Sequence, residues 1–142
     1  MRNNNENREW CKSIALRLEA IAEGRMYKCP ECGEFVEDNQ LFCDCGAQVD
    51  LIGDEENESE PWEQVSFYDY FTDSVLDVEW RIGSDRQYRS VKIMVAYGGP
   101  NIYIDTAAHA VLLYWWTDRA EFPIDPDIVE AIDEWAKEWF NC

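Results

Sequence analysis

This 142-residue chain has a single histidine and no apolar run of the roughly 18 residues that a membrane span needs, and from Cys29 to Glu79 it has not one lysine or arginine. Each absence excludes something. With no such run, a membrane-spanning helix is ruled out. The polar start Met1-Arg2-Asn3-Asn4-Asn5 lacks the apolar stretch of a secretory signal, so a cytoplasmic protein is expected. His109 stands beside alanines in an expected hairpin turn, with no nucleophile in the local sequence, so no Cys–His or Ser–His arrangement is legible. Gly98-Gly99-Pro100 lacks the lysine and hydroxyl residue that end a phosphate-binding loop and reads as a tight turn. No catalytic residue is assigned, and the expectation is a protein that is not an enzyme.

The missing cations leave the charge lopsided. Thirty acidic side chains against twelve basic ones give a net charge of −18, and sixteen of the acids lie between Cys29 and Glu79. Such a field repels nucleic acid and membrane surfaces and draws in basic partners. Direct nucleic-acid binding is therefore disfavoured, and the expected partner is a protein with a basic surface. Hydrophobic residues make up 46% of the chain and aromatics 14%, enough to build a packed core.

Four of the six cysteines fall in two close pairs, Cys29-Pro30-Glu31-Cys32-Gly33 and Cys43-Asp44-Cys45-Gly46. Four thiolates satisfy a tetrahedral metal ion, and two tight Cys loops supply that geometry when the chain between them returns. The competing reading is ordinary or disulfide-paired cysteines, which a reducing compartment disfavours. Residues 27–50 resemble the zinc-ribbon family, in which two CxxCG knuckles face each other, although the second knuckle here is CxC. The resemblance implies one structural zinc ion per chain held by Cys29, Cys32, Cys43 and Cys45, with no open position for catalysis. Cys11 reads as a helix residue and Cys142 as a terminal thiol.

Patterning divides the chain into an N-terminal amphipathic helix (1–26), the ribbon-like module (27–52), an acidic linker (53–64) and an α+β domain (65–142). Trp10, Ile14, Leu18 and Ile21 form the helix's apolar stripe, Asn3–Asn5 offer caps, and Gly24 is placed to end it. Phe67, Tyr68, Tyr70 and Phe71 suit a short helix. Alternation over 78–82, 88–97, 102–105 and 111–116 predicts a four-stranded antiparallel meander. The last helix has Asp125 at its N-cap and Pro126 in its first turn, and it packs on the sheet through Ile128, Ile132, Trp135 and Trp139.

Small, acidic, cysteine-stapled and rich in aromatics, the chain resembles in general character the anti-CRISPR and antirestriction proteins of phages and mobile elements. That resemblance implies an inhibitor that occupies the basic nucleic-acid channel of a host defence nuclease, in the bacterial host cytosol. The contact residues expected are Glu55, Glu56, Glu58, Glu60, Asp69, Asp73 and Asp77, with Trp116 or its neighbour Tyr114 as an aromatic anchor. The alternative is a zinc-ribbon adaptor that docks on a transcription or replication complex through the surface near Phe35, Val36 and Leu41.

Overall fold

A computed structural model describes residues 4–53, 56 and 60–141. The chain divides into two compact units, one of residues 1–19 and 67–142, the other of residues 20–66.

The larger unit is α+β. The smaller unit holds β1 (Met26–Lys28), β2 (Phe35–Glu37) and β3 (Glu63–Gln64), and the larger unit's sheet comprises β4 (Asp77–Ile82), β5 (Tyr88–Ala96), β6 (Asn101–Asp105), β7 (Ala110–Trp115) and β8 (Asp118–Pro123). The strands are antiparallel in the order β4-β5-β6-β7-β8, a meander as the short links require. There are five strands rather than the expected four. The missed one, β8, is Asp-Arg-Ala-Glu-Phe-Pro, an edge strand whose outward positions are charged and which ends on proline, so its apolar signal is reduced to Ala120 and Phe122. Trp116 lies in the two-residue turn between β7 and β8, not in the strand.

Register puts Val78, Trp80, Val91, Ile93, Ile102, Ile104, Val111 and Leu113 on one face. Most of them are fully buried, and they form the core with α3 (Pro126–Phe140). Trp80 meets Trp139 and Phe140 with ring centroids at 5.5 Å, and the Tyr88 hydroxyl donates to Asp133. Asp125 does stand at the N-cap of α3, but it works through its carbonyl, which accepts from Ile128 and Val129; its side chain makes no capping bond. The buried row of α3 is Ile128, Val129, Ile132 and Ala136, whereas Trp135 is half-buried and Trp139 is 47% exposed. Trp135 thus lies off the buried row, and Trp139 touches the sheet at Trp80 while leaving much of its surface open.

Helix α1 (Asn4–Ala22) ends as expected, with the Gly24 and Arg25 N–H groups donating to Ile21 and Ala20. Its buried face runs through Asn7, Cys11, Ile14, Ala15, Leu18 and Ile21, while Trp10 is only half-buried. Cys11 is a core residue here, with its thiol pushed up to about 11 mainly by burial. Helix α2 (Phe67–Ser74) buries Tyr70 and Phe71, and Phe71 packs 4.5 Å from Trp135.

The smaller unit has a three-stranded sheet in the order β2-β1-β3. The acidic stretch 53–64 therefore ends in a strand paired to Tyr27 and Lys28, just after the buried Trp62.

Candidate metal centre

The hairpin β1–β2 closes over Cys29 to Gly33. Cys29 N–H donates to the Glu34 carbonyl at 2.8 Å, and Gly33 N–H donates back to Cys29 at 2.9 Å. The second loop repeats this with one residue fewer. Cys43 N–H donates to Ala47 and Gly46 N–H to Cys43, both at 2.9 Å, inside a ladder bridge between Phe42 and Gln48. The backbone is left-handed at both loop ends, with φ of +80° at Gly33 and +97° at Gly46, which glycine adopts without steric cost. The CxC spacing thus shortens the loop without changing how it is tied.

Together the loops bring all four sulfurs within 4.8 Å of one another. Cys29 Sγ lies 3.7 Å from Cys45 Sγ, and Cys32 Sγ lies 3.4 Å from Cys43 Sγ, so each loop's first cysteine meets the other's second. Metal–sulfur bonds of about 2.3 Å in a tetrahedron place sulfurs about 3.8 Å apart. The cluster is near that spacing, and the four cysteines are placed to bind one metal ion. Burial repeats as well: Cys29 and Cys43 face inward, Cys32 and Cys45 outward.

Backbone donors surround the sulfurs. The Glu34 N–H points at Cys32 Sγ at 3.5 Å, and the Ala47 N–H takes the same place at Cys45. Burial pushes the Cys29 thiol up, but the N–H groups of Cys32 and Glu31 and the thiols of Cys45 and Cys32 favour its thiolate and bring it down to about 7. At Cys32 the Glu34 N–H favours the thiolate, yet the Cys43 thiol and burial prevail and push it up to about 12. Cys45 is raised too: the Ala47 N–H lowers it, while burial and the thiols of Cys29 and Cys43 outweigh that pull. Cys29 is therefore favoured as a thiolate while Cys32 and Cys45 are disfavoured, a balance that a bound cation would shift toward the thiolates. The soft donor set and tetrahedral spacing suit zinc.

The apolar support is thin. Its buried residues are Cys29, Val36, Cys43 and Trp62, with Tyr27, Ala47 and Val49 half-buried against them. Two of those four are the candidate ligands themselves.

The remaining expected contact residues are scattered. Glu55 and Glu58 lie outside the described residues, and Glu56 and Glu60 are exposed in the smaller unit. Asp69 and Asp73 stand one turn apart on α2, and Asp77 opens β4, its carboxylate accepting from the Val78 N–H. Trp116 is 89% exposed at the β7–β8 turn with φ of +57°; Tyr114 is half-buried, with Arg119 over its ring. His109 sits in the β6–β7 turn, exposed, also in the left-handed region. Cys142 lies outside the described residues. Around the cysteine cluster, Val36 is buried and Phe35 half-buried, so the apolar surface the smaller unit offers is Leu41, Phe42 and Ile52 instead. No described helix is long and apolar enough to cross a membrane.

Sequence reading missed the open aromatic groove between α2 and α3, lined by Tyr68, Phe71, Trp135 and Trp139. A signal for it exists. The last helix carries Trp135 and Trp139 in addition to its buried row of Ile128, Val129, Ile132 and Ala136. Comparison with family models, with characterised proteins and with solved structures finds no match for this chain.

Proposed function

We propose that this chain is a non-enzymatic, zinc-stapled binding protein that engages the basic surface of a protein partner. One observation carries the reading: sixteen carboxylates without a single cation between Cys29 and Glu79. Clustered carboxylates repel each other in the free protein, and cationic side chains that ordinarily meet phosphates relieve that repulsion on binding. The partner class that fits is a nucleic-acid enzyme whose channel lysines and arginines the carboxylates occupy, as an inhibitor of the anti-CRISPR or antirestriction kind would. Zinc on the four cysteines supplies folding energy and leaves no open coordination position, so its role is structural.

A second reading has its own observation. Leu41, Phe42 and Ile52 are 77%, 58% and 92% exposed on the smaller unit, an apolar surface beside the cysteine cluster that suits a zinc-ribbon adaptor docking on a transcription or replication complex.

Affinity capture from cell lysate separates the two. A decoy releases a basic nucleic-acid enzyme at high salt and loses it when Glu56, Glu60, Asp69, Asp73 and Asp77 are neutralised together. An adaptor holds its partner through salt and loses it in a Leu41→Ser, Phe42→Ser variant. Capture at low salt that is unchanged by charge neutralisation sinks the decoy.

A further inference from the structure

Helices α2 and α3 meet at Phe71 and Trp135, and a groove of about 510 Å3 lies between them. Tyr68, Phe71 and Val75, spaced three and four residues apart, form one wall; Trp135 with Glu138 and Trp139, three and four residues after it, form the other. Phe71 is buried and makes the floor, while Tyr68 is 67% and Trp139 47% exposed at the rims. Leu76, just past α2, is 60% exposed. The buried α3 row is Ile128, Val129, Ile132 and Ala136; Trp135 stands outside it, and Trp139 touches Trp80 of the sheet with one part of its ring while 47% of it stays exposed.

Charge on the two helices that form this groove is mostly negative, with Lys137 on α3 and Arg17, which reaches Tyr70, as the cations near them. Helix α2 has two aspartates and no cation; α3 has five carboxylates against Lys137 alone. Glu138 lines the groove, exposed Glu134 stands one turn before it, and exposed Asp73 lies on α2 beside Thr72. Among the described residues no ion pair engages Asp73, Glu134 or Glu138.

We propose that this groove is the docking site for a basic amphipathic helix of the protein partner, whose apolar side chains enter between Tyr68 and Trp139 while its lysines and arginines meet Glu138, Glu134 and Asp73. Aromatic anchors inside a charged rim are what helix-in-groove recognition uses: spaced apolar contacts give affinity, and the rim selects the partner's sign. Cations that reach past the rim also find the faces of Trp135, Trp139 and Tyr68. The assignment rests on the reading above that the partner is basic.

The test titrates the full chain, 15N-labelled and zinc-loaded, with a Lys/Leu amphipathic peptide of about 18 residues, long enough to be helical, and with its Glu/Leu counterpart. The Lys/Leu peptide is expected to bind and to shift the amides of Thr72, Val75 and Glu138. Tyr68→Ala, a change at an exposed side chain, is expected to weaken it about tenfold or more with unchanged melting. Glu138→Lys is expected to lower its affinity and raise that of the Glu/Leu peptide, a reversal that partial unfolding would not produce. Equal binding of both peptides by the native chain, shifts confined to other residues, or full affinity in both variants overturns the proposal. Lysate capture that survives Tyr68→Ala and Glu138→Lys but fails on charge neutralisation elsewhere also overturns it, and leaves the basic-partner reading standing.

Discussion

The two units of this chain reach order from different resources. The unit of residues 1–19 and 67–142 closes a five-stranded ladder over Val91, Ile93, Ile102, Ile104, Val111, Leu113 and Ile132, each fully removed from water. The unit of residues 20–66 has strands of two or three residues, and half of its four-residue buried cluster is cysteine. A hydrocarbon core stabilises by area, roughly 25 cal/mol per Å2, and a unit this small has little area to give. A thiolate-bound metal supplies its folding energy at a point and needs only that four sulfurs arrive together. On the proposed reading, in which a metal holds the smaller unit, the part of the acidic run within residues 20–66 is tolerated because such a fold does not need the apolar residues those positions would otherwise require.

The largest expected effect breaks the comparison outright. On the proposed zinc-held fold, removing zinc with a chelator, or substituting Cys43→Ser, should take away binding energy on the order of 10 kcal/mol, far more than the smaller unit's side chains would replace. Amide resonances of residues 26–49 should collapse to the unfolded range, and protease should cut after Lys28, while those of β4 to β8 stay dispersed. Retention of the smaller unit's resonances without metal would show that its core suffices and that the cluster is incidental.

Next comes the reciprocal change. Leu113→Ala removes a fully buried side chain from the larger unit and should cost about 2–5 kcal/mol, read as a lower melting transition with one zinc still bound per chain. Zinc loss in that variant would mean the units do not hold their structures separately.

Acid sharpens the contrast through different titrating groups. In the larger unit Arg81 grips the Asp105 carboxylate with two bonds, at 2.7 and 2.8 Å. That guanidinium, with help from the Ala108 and Ala107 N–H groups and against burial, holds Asp105 below the usual carboxylate range. A carboxyl lowered by folding stabilises above its unfolded value of about 3.9, and this stabilisation is lost as pH falls through the lower folded value. Protons compete with metal for thiolates well before that. Zinc release and the smaller unit's unfolding should therefore precede the loss of the Asp105 contribution in an acid titration followed by NMR. Asp105→Asn, which leaves Arg81 half-satisfied, should cost about 1.5–3 kcal/mol at neutral pH and much less in acid.

How much was legible in the sequence follows the same division. Close Cys pairs, each followed by glycine, announce themselves because a metal needs particular atoms at particular spacings, and the four residues found together are those the pattern marked. The alternation of Val78 and Trp80 and of Val91 and Ile93 gave strands because each turns one side inward; Ile82, 50% exposed, and Val95, half-buried, fall at register shifts where the alternation breaks. Strand β8 was hidden since an edge strand keeps its ladder bonds with few apolar residues, and β3 since two residues carry no period. The groove stayed hidden for a third reason: an apolar row reads the same whether a sheet covers it or nothing in the chain does. Glu55, Glu56, Glu58 and Glu60 were marked by charge alone, which fixes no geometry.

The smallest effect concerns Trp116, where stability and use pull apart. Its pairing neighbours Trp115 and Asp118 leave a two-residue hairpin loop, and its φ of +57° places a bulky side chain in backbone space that costs about 1–2 kcal/mol for any residue with a Cβ. At 89% exposure the indole recovers little of this by burial. Trp116→Gly should then raise the melting temperature of the larger unit, by an amount worth up to about 1 kcal/mol after the extra freedom glycine gives the unfolded chain. Strain kept at an exposed aromatic is what an interface anchor would show, since an anchor is selected for what it does in the complex. If Trp116 has that role, the same variant, though more stable, captures less partner from lysate. Higher stability with undiminished capture would assign Trp116 to neither fold nor interface and confine recognition to the acidic surface and the α2–α3 groove.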